Sequence, residues 1–288
     1  MAFDPKPTCY PFPEITDRHY LVVKKNDGTV FDKNYPYIDT SKPFERKRWW
    51  YRLLTVLIAF PVMRLRLGLK ITGKENLKKH KEELKNGAVS VSNHVHLWDY
   101  IAVMCALYPR RPDIIAWAKN ISGENGKLIR MSGGIPVPEN DVRATISFTR
   151  AIQEYLEKGG WLHICAEGSM WEYYQPIRPF KKGAFYFAVK TGRPILPMAI
   201  SYREPKGLWK IFYRKAMLTL NIGEPIFPDA SLKKEAAIEK LTVEAHEAVC
   251  RLAGIDPKEN LYPPVFHDNR RVDYYTTRYG KESNKEQA

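Results

Sequence analysis

The sequence predicts an α/β fold in which a largely parallel sheet is flanked by helices and preceded by an N-terminal interfacial helical segment. Alternation of strand-length apolar runs with helix-length segments is typical of such a sheet. Of the 288 residues, 44% are hydrophobic, which is ample for a core. Because ligands of these sheets bind at the carboxyl ends of strands, the residues after each run are the first site candidates. The runs lie at 88–91, 113–118, 161–166 and 194–202.

The chain carries a formal net charge of +14. This charge favours a polyanionic partner: nucleic acid, an anionic membrane or a phosphorylated substrate. We expect no nucleic-acid partner, because the sequence has no helix-turn-helix, RNA-binding aromatic motif or zinc finger. The first 20 residues lack the apolar core of a secretory signal. Four scattered cysteines favour a reducing compartment over a disulfide framework, so we predict a cytoplasmic protein. They are Cys9, Cys105, Cys165 and Cys250.

Two segments are predicted before the main domain. Residues 1–43 are polar and proline-rich, so we expect an irregular arm. Residues 44–70 hold the pair Trp49-Trp50 and the apolar run 53–63 between cations, a pattern that predicts a helix lying at a membrane interface. The run is shorter than the about 20 residues that cross a bilayer. A buried core helix is the alternative. The cations are Arg46, Lys47, Arg48, Arg64, Arg66 and Lys70.

The main domain is predicted to span residues 71–255, and residues 256–288 are expected to be a polar, poorly packed tail. Alternating apolar residues at 209–213 and 216–222 predict a hairpin. Helices are predicted at 74–85, 97–108, 140–158, 180–190 and 231–254.

Two of these helices carry end signals. Asn140 or Asp141 is expected to cap a helix that runs to Lys158. Ser231 is expected to cap the last helix, and Gly254 to end it. The residues near helical spacing in the first of these helices are Val142, Ile146, Ile152 and Leu156.

The stretch Ser92–Asp99 is the strongest candidate site, because it joins an apolar strand to a helix. His94 would lie in the loop, and Asp99 in the first turn of the helix, where a carboxylate can orient an imidazole as a general base. Two other interpretations stay open at this point. One is a helix-capping loop with Asn93 as the cap; the other is a metal site that uses His94, His96 and Asp99.

Four blocks occur in the order found in a known family, and a Phe-Lys-x-Gly-Ala stretch at 180–184 accompanies them. With these motifs the chain resembles the 1-acylglycerol-3-phosphate acyltransferases, which are membrane-associated glycerolipid acyltransferases, over about residues 44–255. The blocks are Asn93-His94-Val95-His96-Leu97-Trp98-Asp99 (Asn-His-x4-Asp), Gly133-Gly134-Ile135-Pro136-Val137, Ala166-Glu167-Gly168-Ser169 and Ile195-Leu196-Pro197-Met198-Ala199.

The resemblance implies transfer of a fatty acyl group to the hydroxyl of a lysophospholipid, with 1-acylglycerol-3-phosphate the first choice, in phospholipid biosynthesis. The donor would be acyl-CoA or acyl carrier protein, with no cofactor and no metal. His94 would be the base and Asp99 its orienter. Backbone N–H groups near Gly134 or Gly168 are possible oxyanion donors, and Glu167 would bind polar groups of the acceptor. The implied substrate-binding residues are Asn93, Gly134, Glu167, Gly168, Ser169, Lys181 and Lys182.

The sequence departs from the family pattern at two places where the family has phosphate-binding arginines. Glu139 or Asn140 stands at the first, and Met170 at the second. Other cations could take over the phosphate; the candidates are Arg130, Arg143, Arg178, Lys181 and Lys182. We expect peripheral association with the inner face of an anionic membrane. Two other hypotheses stay open: a metal-dependent hydrolase that uses His94, His96 and Asp99, and a non-enzymatic protein that binds membrane surfaces.

Overall fold

A single mixed sheet organises the described residues, which in this computed structural model are 19, 21–212, 215–262 and 264. Its seven strands are β1 (Lys70–Thr72), β2 (Ala88–Ser92), β3 (Asp113–Trp117), β4 (Gly134–Val137), β5 (Trp161–Cys165), β6 (Ile195–Arg203) and β7 (Met217–Ile222). Their order across the sheet is β1-β7-β6-β2-β5-β3-β4. All neighbouring pairs are parallel except β6 and β7. The predicted α/β fold with a largely parallel sheet is therefore confirmed.

Helices cover both faces of this sheet. They are α1 (Lys42–Leu54), a π-helix (Thr55–Ala59), α2 (Phe60–Arg66), α3 (Lys74–Lys79), α4 (Asp99–Leu107), α5 (Ala118–Ile121), α6 (Gly126–Ser132), α7 (Val142–Glu157), α8 (Gly183–Thr191), α9 (Trp209–Phe212) and α10 (Lys234–Ala253). One core cluster joins one face to α7, α8 and α10 through residues such as Phe148, Phe185 and Val249. A second joins the other face to α2 and α4 through Met63 and Val103. The strand ends are thus held rigidly between two helical layers.

The predicted hairpin at 209–222 is wrong. Residues 209–212 form the short helix α9, and β7 pairs antiparallel with β6, for example Tyr202 opposite Leu218. The pairing of β7 with β6 is stabilised by packing, because Leu218, Leu220 and Ile222 of β7 are buried in the second core cluster. In the segment between β6 and β7, residues 208–212 are instead exposed.

Helix ends differ in part from the prediction. Asp141 caps α7 by accepting hydrogen bonds from the N–H groups of Arg143 and Ala144, as one of the two predicted caps. The prediction that Ser231 caps the last helix is wrong, because α10 begins at Lys234 and the Ser231 hydroxyl donates to Asp229. Gly254 ends α10 as predicted, and its backbone is left-handed.

The apolar stripe of α7 also differs from the predicted one. Its buried residues recur every four positions, whereas Val142 and Ile146 are exposed, so their assignment to the apolar side is wrong. The buried residues are Ala144, Phe148, Ile152 and Leu156. Helix α3 ends at Lys79 rather than near Lys85, and turns follow it.

The described part of the tail is packed, contrary to the prediction. Asn260 donates to the Ile177 carbonyl at 2.7 Å. Tyr262 is buried against Trp171 and Tyr174, and its hydroxyl lies 2.7 Å from that of Tyr174. The rest of the predicted tail and residues 1–18 and 20 of the predicted arm lie outside the described residues.

The N-terminal helical segment has one buried face and one exposed apolar face. Residues 21–41 hold no helix or strand, and from Lys42 to Arg66 the chain is helical. Pro61 cannot donate to the carbonyl of residue 57, and just before it the helix widens so that the Phe60 N–H bonds the Thr55 carbonyl. Phe60 and Met63 are buried, whereas the opposite face is exposed and apolar. The exposed residues include Trp49, Trp50, Leu54, Leu57, Ile58 and Leu65.

Arg48 was predicted to meet lipid, and the structure contradicts this. Its side chain is buried and forms an ion pair with Asp113, to which Arg52 also donates at 2.9 Å. These contacts tie α1 to the start of β3. Among the described residues no helix is both long enough and apolar enough to cross a membrane.

Candidate active site

The loops that follow β2 and β5 begin side by side at one edge of the sheet. Ser92 and Cys165, the last residues of these parallel neighbours, are register partners. The Ala166 N–H donates to the Ser92 carbonyl at 3.1 Å, which continues the pairing one residue further. Two of the sequence blocks are therefore adjacent in space, as expected for the carboxyl ends of neighbouring parallel strands.

His94 and Asp99 form a close pair at this edge. His94 Nδ1 lies 2.9 Å from Asp99 Oδ2, and the same oxygen accepts the N–H groups of Val95 and His96. Asp99 is buried and opens α4, where the helix dipole favours a negative charge. Because Nδ1 is held by the carboxylate, Nε2 is the nitrogen left to accept a proton. The His94 side chain keeps 26% of its surface exposed, so a substrate can reach it.

Neighbouring groups set the protonation of His94. Burial acts to lower the pKa of His94, but the Cys165 sulfur and the Asp99 carboxylate outweigh it and raise that pKa to about 10. Beneath the pair, burial and the nearby His94 charge lower the pKa of His163 to about 3. His163 lies between the hydroxyls of Ser90 and Ser92, at 3.0 and 3.3 Å. A buried polar column therefore runs under the candidate base.

The sequence analysis did not single out Cys165 or His163. The sequence did offer a signal: side chains two positions apart on a strand lie on the same face, so His163 and Cys165 share one face of β5, which ends at the site. His163 is fully buried and Cys165 is partly exposed.

Glu167 and Arg178 form a buried ion pair that holds the His94 loop. Glu167 Oε2 accepts the His94 N–H at 2.9 Å and Arg178 Nη2 at 2.7 Å, while Oε1 accepts the Arg178 N–H at 2.8 Å. Arg178 also donates to the Ser169 hydroxyl at 2.8 Å and lies over the Trp171 ring. Both Glu167 oxygens are engaged and the residue is buried, so its observed contacts hold the His94 loop, and its predicted contact with an acceptor stays a prediction. Arg178 is likewise buried, so it does not replace the missing phosphate-binding arginines.

Three other predicted substrate-binding residues have different partners. Both polar atoms of the Asn93 amide bond the backbone of Ile200 on β6, at 2.8 and 2.9 Å, so they fix the loop to the sheet. The Gly168 N–H donates to the Cys165 carbonyl, and its φ of +82° suits a glycine in a tight turn. Gly134 begins β4 and lies three strands from β2. Gly134 therefore lies apart from His94, and the Gly168 N–H has a backbone partner; an oxyanion donor among the N–H groups near these glycines stays a prediction.

The remaining candidate cations divide by position. The Lys181 N–H donates to the Ala166 carbonyl at 2.8 Å, so this exposed lysine borders the Glu167 loop. Lys182 forms an ion pair with Glu239. Arg130 donates to the carbonyls of Tyr37 and Gly134, which places it under the N-terminal arm instead of at the site.

The structure does not bring a metal-binding set together at the predicted residues. His96 Nδ1 accepts the Trp98 N–H at 3.1 Å, and its ring meets Tyr173 edge to face. In the parts of the chain that the structure describes, no three His, Cys, Asp or Glu side chains are grouped to hold a metal ion. The geometry supports a His–Asp acid/base pair with a solvent-accessible imidazole.

The chain is similar to proteins of known class. The family model described as Acyltransferase matches residues 68–201, which include both loops. A chloroplastic 1-acyl-sn-glycerol-3-phosphate acyltransferase from Brassica napus, BAT2, is 32% identical over 75 residues, or 26% of this chain and 22% of that protein. A 1-acyl-sn-glycerol-3-phosphate acyltransferase from Limnanthes douglasii is 24% identical over 202 residues, or 62% of this chain and 68% of that protein.

A solved structure is also similar: that of PlsC from Thermotoga maritima, a 1-acyl-sn-glycerophosphate acyltransferase. It has a TM-score of 0.49 and 20% identity, and the match covers 76% of this chain and 84% of that one. The family-model match extends from Gly68 to Ser201 and therefore includes the Asn-His-x4-Asp motif. The four blocks and the curated relatives point the same way: residues 68–201 match the Acyltransferase family model, and the chain is similar to 1-acyl-sn-glycerol-3-phosphate acyltransferases.

Proposed function

We propose that this protein transfers a fatty acyl group from an acyl thioester to the free hydroxyl of a lysophospholipid, with His94 as general base. The observation that carries the proposal is the pair at the strand ends, where Asp99 Oδ2 holds His94 Nδ1 at 2.9 Å and leaves the imidazole accessible. Acyl transfer to an alcohol needs such a base, because the hydroxyl must lose its proton as it attacks.

The step balances without an enzyme nucleophile. The acceptor hydroxyl gives its proton to His94 Nε2 while its oxygen bonds the thioester carbonyl carbon. The tetrahedral intermediate then collapses, the carbon–sulfur bond breaks, and the imidazolium returns the proton to the thiolate that leaves. Asp99 stabilises the imidazolium in between, in the way that a carboxylate supports a histidine base in other acyl-transfer enzymes. No cofactor is required beyond the thioester, which is acyl-CoA or acyl carrier protein.

The favoured acceptor is 1-acylglycerol-3-phosphate, the substrate that the names of both curated relatives carry. The positive charge of the chain suits a phosphorylated acceptor at an anionic membrane surface. With Glu139 or Asn140 and Met170 at the positions of the family arginines, we assign the acceptor phosphate to Lys181, whose backbone borders the Glu167 loop. The exposed apolar face of residues 42–66 supports peripheral binding to the cytoplasmic face of that membrane.

A substrate panel tests the reaction and its acceptor together. The purified protein is incubated with either thioester and with lysolipids that differ in headgroup, and the products are identified by mass spectrometry. We expect a diacyl product, formed fastest from the phosphate monoester, and none with His94→Ala. Lys181→Ala should raise KM for that acceptor more than for an uncharged monoacylglycerol, and Lys158→Ala, at the end of α7, is the matched control. If transfer is fastest to a lysolipid with another headgroup, the assigned acceptor is wrong, but the assignment of acyl transfer still holds.

A further inference from the structure

An exposed apolar surface occurs where the sequence predicted a hairpin. In the segment 204–216, Leu208, Ile211 and Phe212 are exposed by 74–75%, and Trp209 by 51%. Monomeric proteins rarely expose so many large apolar residues together unless the patch binds something. The same segment carries four cations against one acid in its sequence, namely Lys206, Lys210, Arg214 and Lys215 against Glu204. Apolar and cationic residues side by side match an anionic lipid surface.

The position of this segment links it to the candidate active site. It leaves the carboxyl end of β6, which is parallel to β2 and therefore ends at the same edge of the sheet. Lys215 lies over the Tyr173 ring at 5.1 Å, and that ring meets His96 at 5.9 Å. The Tyr173 N–H donates to the Val95 carbonyl, within the His94 loop.

The other side of the segment adjoins the N-terminal helices. Arg203, at the end of β6, donates to the Gly68 carbonyl, and the Leu218 N–H donates to the Leu67 carbonyl. The segment therefore stands between the end of α2 and the His94 loop. That loop has exposed apolar residues of its own, Leu97 and Trp98.

We propose that residues 204–212 form a second lipid-binding element, which inserts Leu208, Trp209, Ile211 and Phe212 into an anionic bilayer beside the opening of the His94 site. It adds to the contact through residues 42–66 and, with that helix, turns the strand ends toward the headgroups. This proposal rests on the proposed function, because it explains how a lipid substrate reaches the His94 site. Binding to vesicles can nevertheless be measured whichever acceptor the protein uses.

Vesicle binding by the full chain tests this inference. The variant Leu208→Ser/Ile211→Ser/Phe212→Ser is compared with Val142→Ser/Ile146→Ser, which removes exposed apolar residues from α7. Co-sedimentation uses vesicles of phosphatidylcholine with phosphatidylglycerol. We expect the first variant to bind about tenfold more weakly and the second to bind like the unaltered protein. Quenching of Trp209 fluorescence by brominated acyl chains, absent in Trp209→Phe, should report insertion.

Other outcomes separate this inference from the proposed function. Undiminished vesicle binding by the first variant would overturn the inference. The inference would also be overturned if the unaltered protein forms a dimer without vesicles and the first variant does not, because the patch would then bind a second copy of the chain. Activity toward a short-chain lysolipid dissolved as monomers should stay within about twofold in the first variant, because the changed residues lie outside the His94–Asp99 pair. Vesicle binding that depends on the patch, in a protein that acylates no acceptor, would support the inference and refute the proposed function.

Discussion

Glu167 Oε2 joins Arg178 to His94, since the one oxygen accepts the arginine Nη2 at 2.7 Å and the backbone N–H of the histidine at 2.9 Å. The conformation of the loop that carries the candidate base therefore depends on a buried ion pair. Breaking a buried pair by removing one partner is strongly destabilising, because the other charge is left without compensation.

We expect Glu167→Ala to lower the free energy of unfolding by about 3–5 kcal/mol. It should also lower kcat, because the His94 loop loses its anchor. Urea unfolding and steady-state kinetics measure both effects. Glu167→Gln keeps the size and one acceptor oxygen and should be milder in both. A stable Glu167→Ala protein in which only KM for the acceptor rises would return Glu167 to the substrate-binding role that the sequence predicted.

Removing either member of the His94–Asp99 pair should remove activity without unfolding the protein. For His94→Ala we expect a loss of kcat of about 10²–10⁴-fold, the usual contribution of general acid–base catalysis. Asp99→Asn should be nearly as severe, because Oδ2 accepts the imidazole Nδ1–H and two backbone N–H groups. Circular dichroism and thermal unfolding serve as controls for folding. Near-normal turnover by His94→Ala would refute the assignment of the base.

The pH dependence of activity should follow the raised pKa of His94. With that pKa near 10, the imidazole is protonated at neutral pH, so the fraction of active base grows as the pH rises. We expect kcat/KM to increase about tenfold per pH unit between about pH 6 and 9. Cys165→Ala removes one of the groups that raise this pKa, so the rising limb should move to lower pH. A limb that does not move in this variant would contradict the influence of Cys165 on the base.

His96 should be dispensable. Its Nδ1 accepts a local backbone N–H, and its ring packs on Tyr173, so His96→Ser removes no contact to the His94–Asp99 pair. The family resemblance places serine at this position. We expect His96→Ser to keep about half or more of the activity, consistent with a substitution away from the reacting groups, and chelator treatment to leave both proteins active. Loss of activity together with loss of a bound metal would revive the metal-dependent hydrolase.

Acid should destabilise the protein through two buried histidines. Burial lowers the pKa of His163 to about 3 and that of His246 to about 4, whereas an unfolded histidine titrates near about 6.5. Between these values the unfolded chain binds protons that the native protein does not. The free energy of unfolding should therefore fall as the pH drops from about 6.5 to 4, by about 1.4 kcal/mol per pH unit for each histidine. Urea unfolding at several pH values measures the slope.

His163→Gln and His246→Gln provide the controls for this slope. Each variant removes one of the two buried histidines. Each should therefore remove about half of the pH dependence of the unfolding free energy that the two histidines cause. An unchanged slope in both variants would show that carboxylates, and not these histidines, control acid unfolding.

The sequence predicted the sheet and the His94–Asp99 pair because both depend on short-range patterns. Strand and helix periods are local, and five residues are enough to place an imidazole beside a carboxylate at a helix start. The sequence could not predict which polar side chains are already hydrogen-bonded within the protein. Asn93 is engaged by Ile200 and Glu167 by Arg178, and these partners follow from how distant segments pack. The position of Gly134, three strands from β2, is likewise not visible in the sequence, since a motif does not reveal its distance across the sheet from His94.

The prediction of a hairpin was wrong because alternating apolar residues indicate a strand but do not identify the strand with which it pairs. Residues 217–222 pair antiparallel with β6, and residues 209–212 form a short helix instead of a strand. Their apolar side chains looked like core in the sequence and are exposed in the structure.

The contacts of Arg48 and Arg52 with Asp113 have a consequence for how the protein responds to a bilayer. Because both arginines bind the first residue of β3, α1 is fastened to the sheet and cannot swing away from it. In the membrane binding proposed above, we expect the whole domain to reorient as a rigid body, without opening a lid. We therefore expect no interfacial activation: vesicles should raise the rate by concentrating the lipid substrate, with no lag, while the catalytic geometry stays as it is in water.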